Sequence, residues 1–97
     1  MPIYVTLYKF TDRGIRGVKD TVKRAEEVKQ AAAQAGVTVK ELYWLQGQYD
    51  AVGIAETPDE ATGMAMALTV AKAGNVTSQT MRAFTTDEMG KLLGRMV

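Results

Sequence analysis

The sequence has 97 residues, 46% hydrophobic and 24% charged, enough for one hydrophobic core and in the balance that folded chains show, so a single domain over 1–97 is expected. Twelve Lys and Arg against eleven Asp and Glu leave a formal net charge of +1, which excludes the cationic footprint of a nucleic-acid binder. There is no cysteine and no histidine, which removes disulfides, thiolate nucleophiles, Cys-based metal sites and the usual general base near neutral pH; no cofactor or metal is expected.

The N-terminus, Met1-Pro2-Ile3-Tyr4-Val5, lacks the basic and apolar stretches of a signal peptide. No apolar run approaches the roughly 20 residues of a membrane span, so a cytoplasmic protein without membrane contact is expected. From Ile3 to Phe10, Ile3, Val5 and Leu7 alternate with Tyr4, Thr6 and Tyr8, the period of a strand. The stretch 11–20, with glycines at 14 and 17 among five charges, breaks that period and predicts a long loop.

Over 21–35 the apolar positions Val22, Ala25, Val28, Ala32 and Ala35 recur with helical spacing, and Gly36 supplies a left-handed stop. Val, Thr, Tyr and Trp over 37–45 predict a second strand, and Gln46-Gly47-Gln48-Tyr49 turns the chain into a third over 50–56. Thr57-Pro58-Asp59-Glu60 has the form of a capping box with proline at the first helical position, predicting a helix over 58–73 with Ala61, Met64, Ala65, Leu68 and Ala71 inward. Gly74 ends it, a fourth strand follows over 76–84, and a second capping box, Thr85 to Glu88, opens a short terminal helix through Met89, Leu92 and Leu93.

The order β-α-β-β-α-β plus a helix is that of an α+β, ferredoxin-like domain, an antiparallel sheet with two helices on one face. Such a sheet should alternate apolar and polar side chains if its other face meets water. These strands do not alternate: if Ile3, Val5 and Leu7 meet the helices, Tyr4, Tyr8 and Phe10 point away, and Leu42 with Trp44 opposes Tyr43 with Leu45. Either register leaves an apolar face uncovered, so the chain is expected to pair with itself as a homodimer or a higher multiple of dimers, with Tyr4, Tyr8, Phe10 and Trp44 as interface candidates.

Several separated motifs, namely Tyr4 to Phe10, Thr11-Asp12-Arg13-Gly14-Ile15-Arg16, Gly47-Gln48-Tyr49-Asp50, Gly74-Asn75-Val76 and Thr80 to Thr85, resemble the small bacterial and archaeal GYD-domain family. The family's name-giving Gly-Tyr-Asp appears here with Gln48 between Gly47 and Tyr49. The resemblance implies a dimeric α+β barrel and no assigned function. The Gly-x-Tyr-Asp hairpin is also similar to the effector-binding domains of leucine-responsive regulators, which bind small metabolites between subunits, although no helix-turn-helix is present.

Candidate site residues each carry a plain structural reading. Gly47 and Asp50 suit a hairpin that needs a positive φ and an acceptor for backbone N–H groups; as ligand groups, Tyr49 would stack or donate and Asp50 would receive an ammonium or hydroxyl. Lys9, Arg13, Arg16, Lys19, Lys23 and Arg24 outnumber Asp12 and Asp20 and run into a helix N-terminus, which makes either an anion site or a solvated charged loop. Arg82 and Lys9, on predicted strands, are expected either to form plain surface or interface salt bridges or, pointing inward, to meet Glu41, Glu56 or a bound carboxylate. Together these predict a homo-oligomeric module binding a small anionic or zwitterionic metabolite. The alternatives are a cofactor-independent enzyme using Trp44, Tyr43 or Asp50, and a purely structural assembly.

Overall fold

The computed structural model describes residues 1–97 and contains β1 (Ile3–Phe10), α1 (Asp12–Arg16), a 3-10 turn (Val18–Asp20), α2 (Thr21–Gln34), β2 (Thr38–Trp44), β3 (Ala51–Glu56), α3 (Glu60–Lys72), β4 (Val76–Ala83) and α4 (Thr86–Leu93). The strands form one antiparallel sheet in the order β2-β3-β1-β4. β1 is therefore interior, and α2 and α3 are the two crossover helices of the expected ferredoxin-like arrangement.

Register decides the faces. Tyr4, Thr6, Tyr8 and Phe10 stand opposite Ala55, Gly53 and Ala51 on β3 and opposite Arg82, Thr80, Ser78 and Val76 on β4, and this set faces the helices. Ile3, Val5, Leu7 and Lys9 face the other way, beside Ile54, Val52 and Met81. A bulge at Lys40, between Val39 and Glu41, shifts β2 by one residue, so that Val39, Leu42 and Trp44 all fall on the helix side. Without it, Val39 would share a face with Tyr43.

The segment 11–20 is not the open loop that its composition predicts. Thr11 caps α1, accepting from the Gly14 N–H at 3.0 Å, while its own hydroxyl donates to the Gly74 carbonyl at 2.6 Å and its N–H to the Asn75 carbonyl at 3.1 Å. These bonds tie the end of β1 to the start of β4. Gly14 lies so close to the Asn75 carbonyl that any Cβ would collide with it. Five residues containing one glycine are too few to leave a readable period.

α3 differs from expectation in its start and its orientation. Asp59, not Thr57, is the N-cap: its carboxylate accepts from the Thr62 N–H at 2.7 Å, a bond that holds its pKa below the ordinary value. Thr57 is instead buried, 3% exposed, its hydroxyl donating to the Asp59 carbonyl and its N–H to Pro2. The face turned to the sheet carries Gly63, Met66, Ala67 and Val70, while the expected stripe of Met64 and Leu68 points outward. The second capping box forms as read, Glu88 N–H to Thr85 Oγ1 at 3.1 Å and Thr85 N–H to Glu88 Oε1 at 2.9 Å.

Burial is shallow throughout. Only five residues are buried and no large side chain is fully enclosed. The radius of gyration is 14.7 Å, against roughly 12.5 Å for a compact chain of this length, and the longest extent is 50 Å. α2 rests beside β2 and α3 beside β4, leaving the middle of the sheet under an open gap, and α4 packs extensively on neither helix.

Candidate functional site: the crevice between sheet and helices

The gap between the helices and the sheet is a crevice of about 370 Å³. β1, β2 and β3 floor it with Tyr8, Phe10, Leu42 and Trp44, and α3 walls it with Met66 and Val70. It exists because the floor next to the aromatic rings is built from Ala51, Gly53 and Ala55, side chains too small to fill the space beneath two separated helices. Gly53 leaves open the space into which a side chain would reach to meet Tyr8 and Leu42 at ordinary contact distance.

The charged groups of this largely apolar space lie along its α2 edge, where Arg24, Glu27 and Lys29 line it. Burial pushes the Tyr8 phenol up from its ordinary pKa, against a weaker lowering by Thr6, so at neutral pH Tyr8 offers an O–H and carries no charge. The Trp44 indole N–H donates to Thr21 Oγ1 at 3.1 Å, bridging β2 to the first turn of α2. Arg24, one turn further along α2, lines the crevice and donates through Nη2 to the Gly14 carbonyl at 3.4 Å. A neutral aromatic floor with a guanidinium beside it suits a ligand that has an apolar body and an anionic end.

The candidate residues read from sequence fall in three separate places. Asp50 closes the sheet end: its Oδ2 accepts from the Phe10 N–H at 2.8 Å, its N–H donates to the Tyr8 carbonyl at 2.8 Å, and its carbonyl receives the Leu45 N–H. Tyr49 lies over the helix-free face, donating to Gln79 Oε1 at 3.2 Å with the Lys9 ammonium 5.6 Å from its ring centre. Arg13, Arg16 and Lys19 are exposed on α1 and the 3-10 turn. Arg82 is at the opposite end of β1, opposite Tyr4, stacked 4.4 Å from the Phe84 ring and paired with Glu88 at 3.4 Å; it also donates to the Ala83 carbonyl.

Of the interface candidates, Tyr8, Phe10 and Trp44 line the crevice and Tyr4 shares their face. The helix-free face instead presents Val5, Leu7, Val52, Ile54, Tyr43 and Met81. Met66, Val70 and Gly53 carry no sequence signal as crevice residues, and Arg24 stands out in the sequence only as one of several charges. Its spacing from Thr21 on one helix face, with Trp44 opposite, was the available signal.

An antiparallel sheet in this order, with both crossover helices on one side and a lined gap beneath them, defines a ferredoxin-like α+β domain with a crevice between its layers. The chain belongs to the GYD-domain family, whose model matches residues 4–93. Among curated proteins it is 33% identical over 84 residues, 86% of this chain and 88% of the relative, to the "Glutamine synthetase and cystathionine beta-lyase binding protein" of Thermus thermophilus. No solved structure matches the chain. No helix is long and apolar enough to cross a membrane.

Proposed function

We propose that this chain is a homo-oligomeric binding module that holds a small anionic or zwitterionic metabolite in the crevice, its apolar part over Tyr8 and Phe10 and its carboxylate against Arg24. The crevice itself carries this reading: an apolar gap of about 370 Å³ with a neutral phenol on its floor and two cations, Arg24 and Lys29, against one carboxylate, Glu27, along its α2 edge. A cofactor-independent enzyme in the same space fits less well, because a phenol whose pKa is raised ionises less readily and Asp50 is committed to the Phe10 N–H.

Trp44 is the sole tryptophan and borders the crevice, so its fluorescence reports occupancy. Titration with amino acids and with small mono- and dicarboxylates should shift that emission saturably for at least one compound, and Arg24→Gln should weaken the binding about tenfold or more. An unresponsive Trp44 across the series, or binding equal in Arg24→Gln, would remove the crevice as a metabolite site.

A second reading takes a metabolic enzyme as partner, supported by the name of the Thermus relative, which describes binding to two such enzymes. Co-elution of this chain with glutamine synthetase from the same source organism supports that reading, and independent elution at micromolar concentrations argues against it. The two readings are compatible, with the metabolite acting as the signal that the partner senses.

A further inference from the structure

α3 carries no charged residue from Ala61 to Ala71. One face covers the crevice, and the other holds Met64, 60% exposed, and Leu68, 57% exposed. A helix that is apolar on every side is a buried helix. α2 shows the contrast, since its outer face bears Lys23, Glu26 and Gln30 as a solvated helix should.

α4 poses the complementary problem. It is eight residues long, too short to be stable in isolation, yet its apolar side chains Met89 (46% exposed), Leu92 and Leu93 (51% exposed) are left exposed. It cannot turn back to cover α3 of its own chain. Only Phe84 and Thr85 separate it from β4, and the Thr85 capping box and the Arg82–Glu88 pair fix the direction in which it leaves the sheet.

We infer that α4 of one copy packs on the outer face of α3 of a second copy, in a reciprocal two-fold exchange. The charges at the helix ends select an antiparallel fit. α3 begins with Glu60 and ends with Lys72, about 18 Å apart, and α4 carries Asp87 in its first turn with Arg95 just past its end, so antiparallel packing that sets Asp87 beside Lys72 brings Arg95 within side-chain reach of Glu60. The same orientation opposes the two helix dipoles. Each chain thus holds both halves of a contact that it cannot close alone, and a two-fold pair closes it twice. This contact uses the helix layer and leaves the helix-free sheet face available for a different partner copy.

The chain lacks cysteine, so introduced thiols give an unambiguous cross-link. Co-expression of Leu68→Cys carrying one affinity tag with Leu93→Cys carrying another, followed by a short bismaleimide, should yield a covalent dimer containing both tags. Either variant expressed alone should yield little. Circular dichroism and elution volume matching the parent chain confirm that the variants fold and assemble, and Leu68→Glu should halve the mass of any species larger than a dimer or reduce a dimer to monomer. Four outcomes would overturn the exchange: absence of the mixed product in folded protein, equal cross-linking in each variant alone, an intrachain link in the doubly substituted chain, or an unchanged mass for Leu68→Glu.

Discussion

Asp50 joins three chain segments through one residue. Its carboxylate takes the Phe10 N–H at the last position of β1, its own N–H reaches the Tyr8 carbonyl, and its carbonyl closes the β2–β3 turn through Leu45. Aspartate is needed because the acceptor must project past the strand end to an amide that the ladder no longer pairs, which a backbone carbonyl cannot do. Asp50→Ala should therefore cost about 2 kcal/mol in denaturant unfolding, as for a lost charge-assisted bond, whereas Asp50→Asn, which keeps an oxygen acceptor, should cost about 1 kcal/mol or less. Equal losses in the two variants would mean that the charge, and not the bond to Phe10, sets the role. The hairpin role of Asp50 was legible from Gly-x-Tyr-Asp in the sequence. Its partner was not, because Phe10 is forty positions away and only register brings it near.

Among the elements, those whose periods were unambiguous came out of the sequence intact and the two without a period did not. β1, α2, β2, β3 and β4 lie within a residue or two of their predicted ranges. α1 was hidden by its length, and the orientation of α3 was hidden by its uniform apolarity, since a helix with no polar face offers periodicity nothing to select. The bulge at Lys40 was equally silent, and it decides that Val39 joins Leu42 and Trp44 over the crevice. α4 is the element whose stability rests most on its cap. The Thr85 N–H, and less strongly Arg82, hold the Glu88 carboxyl below its ordinary value of 4.5. Glu88 is thus ionised more readily folded than unfolded, and its contribution is complete above that ordinary value and lost as the pH falls through the lower folded value. Acidification should accordingly fray α4 before the sheet, with the protection of the Glu88 and Met89 amides, relative to their intrinsic exchange rate at each pH, falling while that of β1 stays high. Glu88→Gln, which can still accept from Thr85, should flatten the dependence. Protection at Met89 that stayed constant through the acid range would show that packing, and not the capping box, holds the helix.

At the scale of the molecule, the shallow burial and the 50 Å extent describe a chain that has not finished removing its apolar surface from water. The absence of polar alternation in the strands was the sequence's record of this, and it held whichever register applied. What the sequence left open was the assignment of faces: Tyr8, Phe10 and Trp44 went to the crevice, and Ile54, Val5 and Met81 run across three neighbouring strands on the face that no helix covers, with Val52, Leu7 and Tyr43 alongside. A stripe of that kind stabilises by roughly 25 cal/mol for each Å² it buries, and it can bury only against another surface of the same character. Val5, at the centre of the stripe and on the interior strand, is the position where a charge would be hardest to solvate once a second sheet is in place. Light scattering at micromolar concentration should thus give a dimer or a multiple of dimers for the parent chain and, for Val5→Glu, half the parent mass, an aggregate or an unfolded chain. Tyr8→Glu should disturb the crevice, destabilising the fold and Trp44 emission, and any variant of it that still folds should keep the parent mass. A monodisperse monomer for the parent at high concentration, with sheet and helices intact by circular dichroism, would sink the pairing of the two sheets.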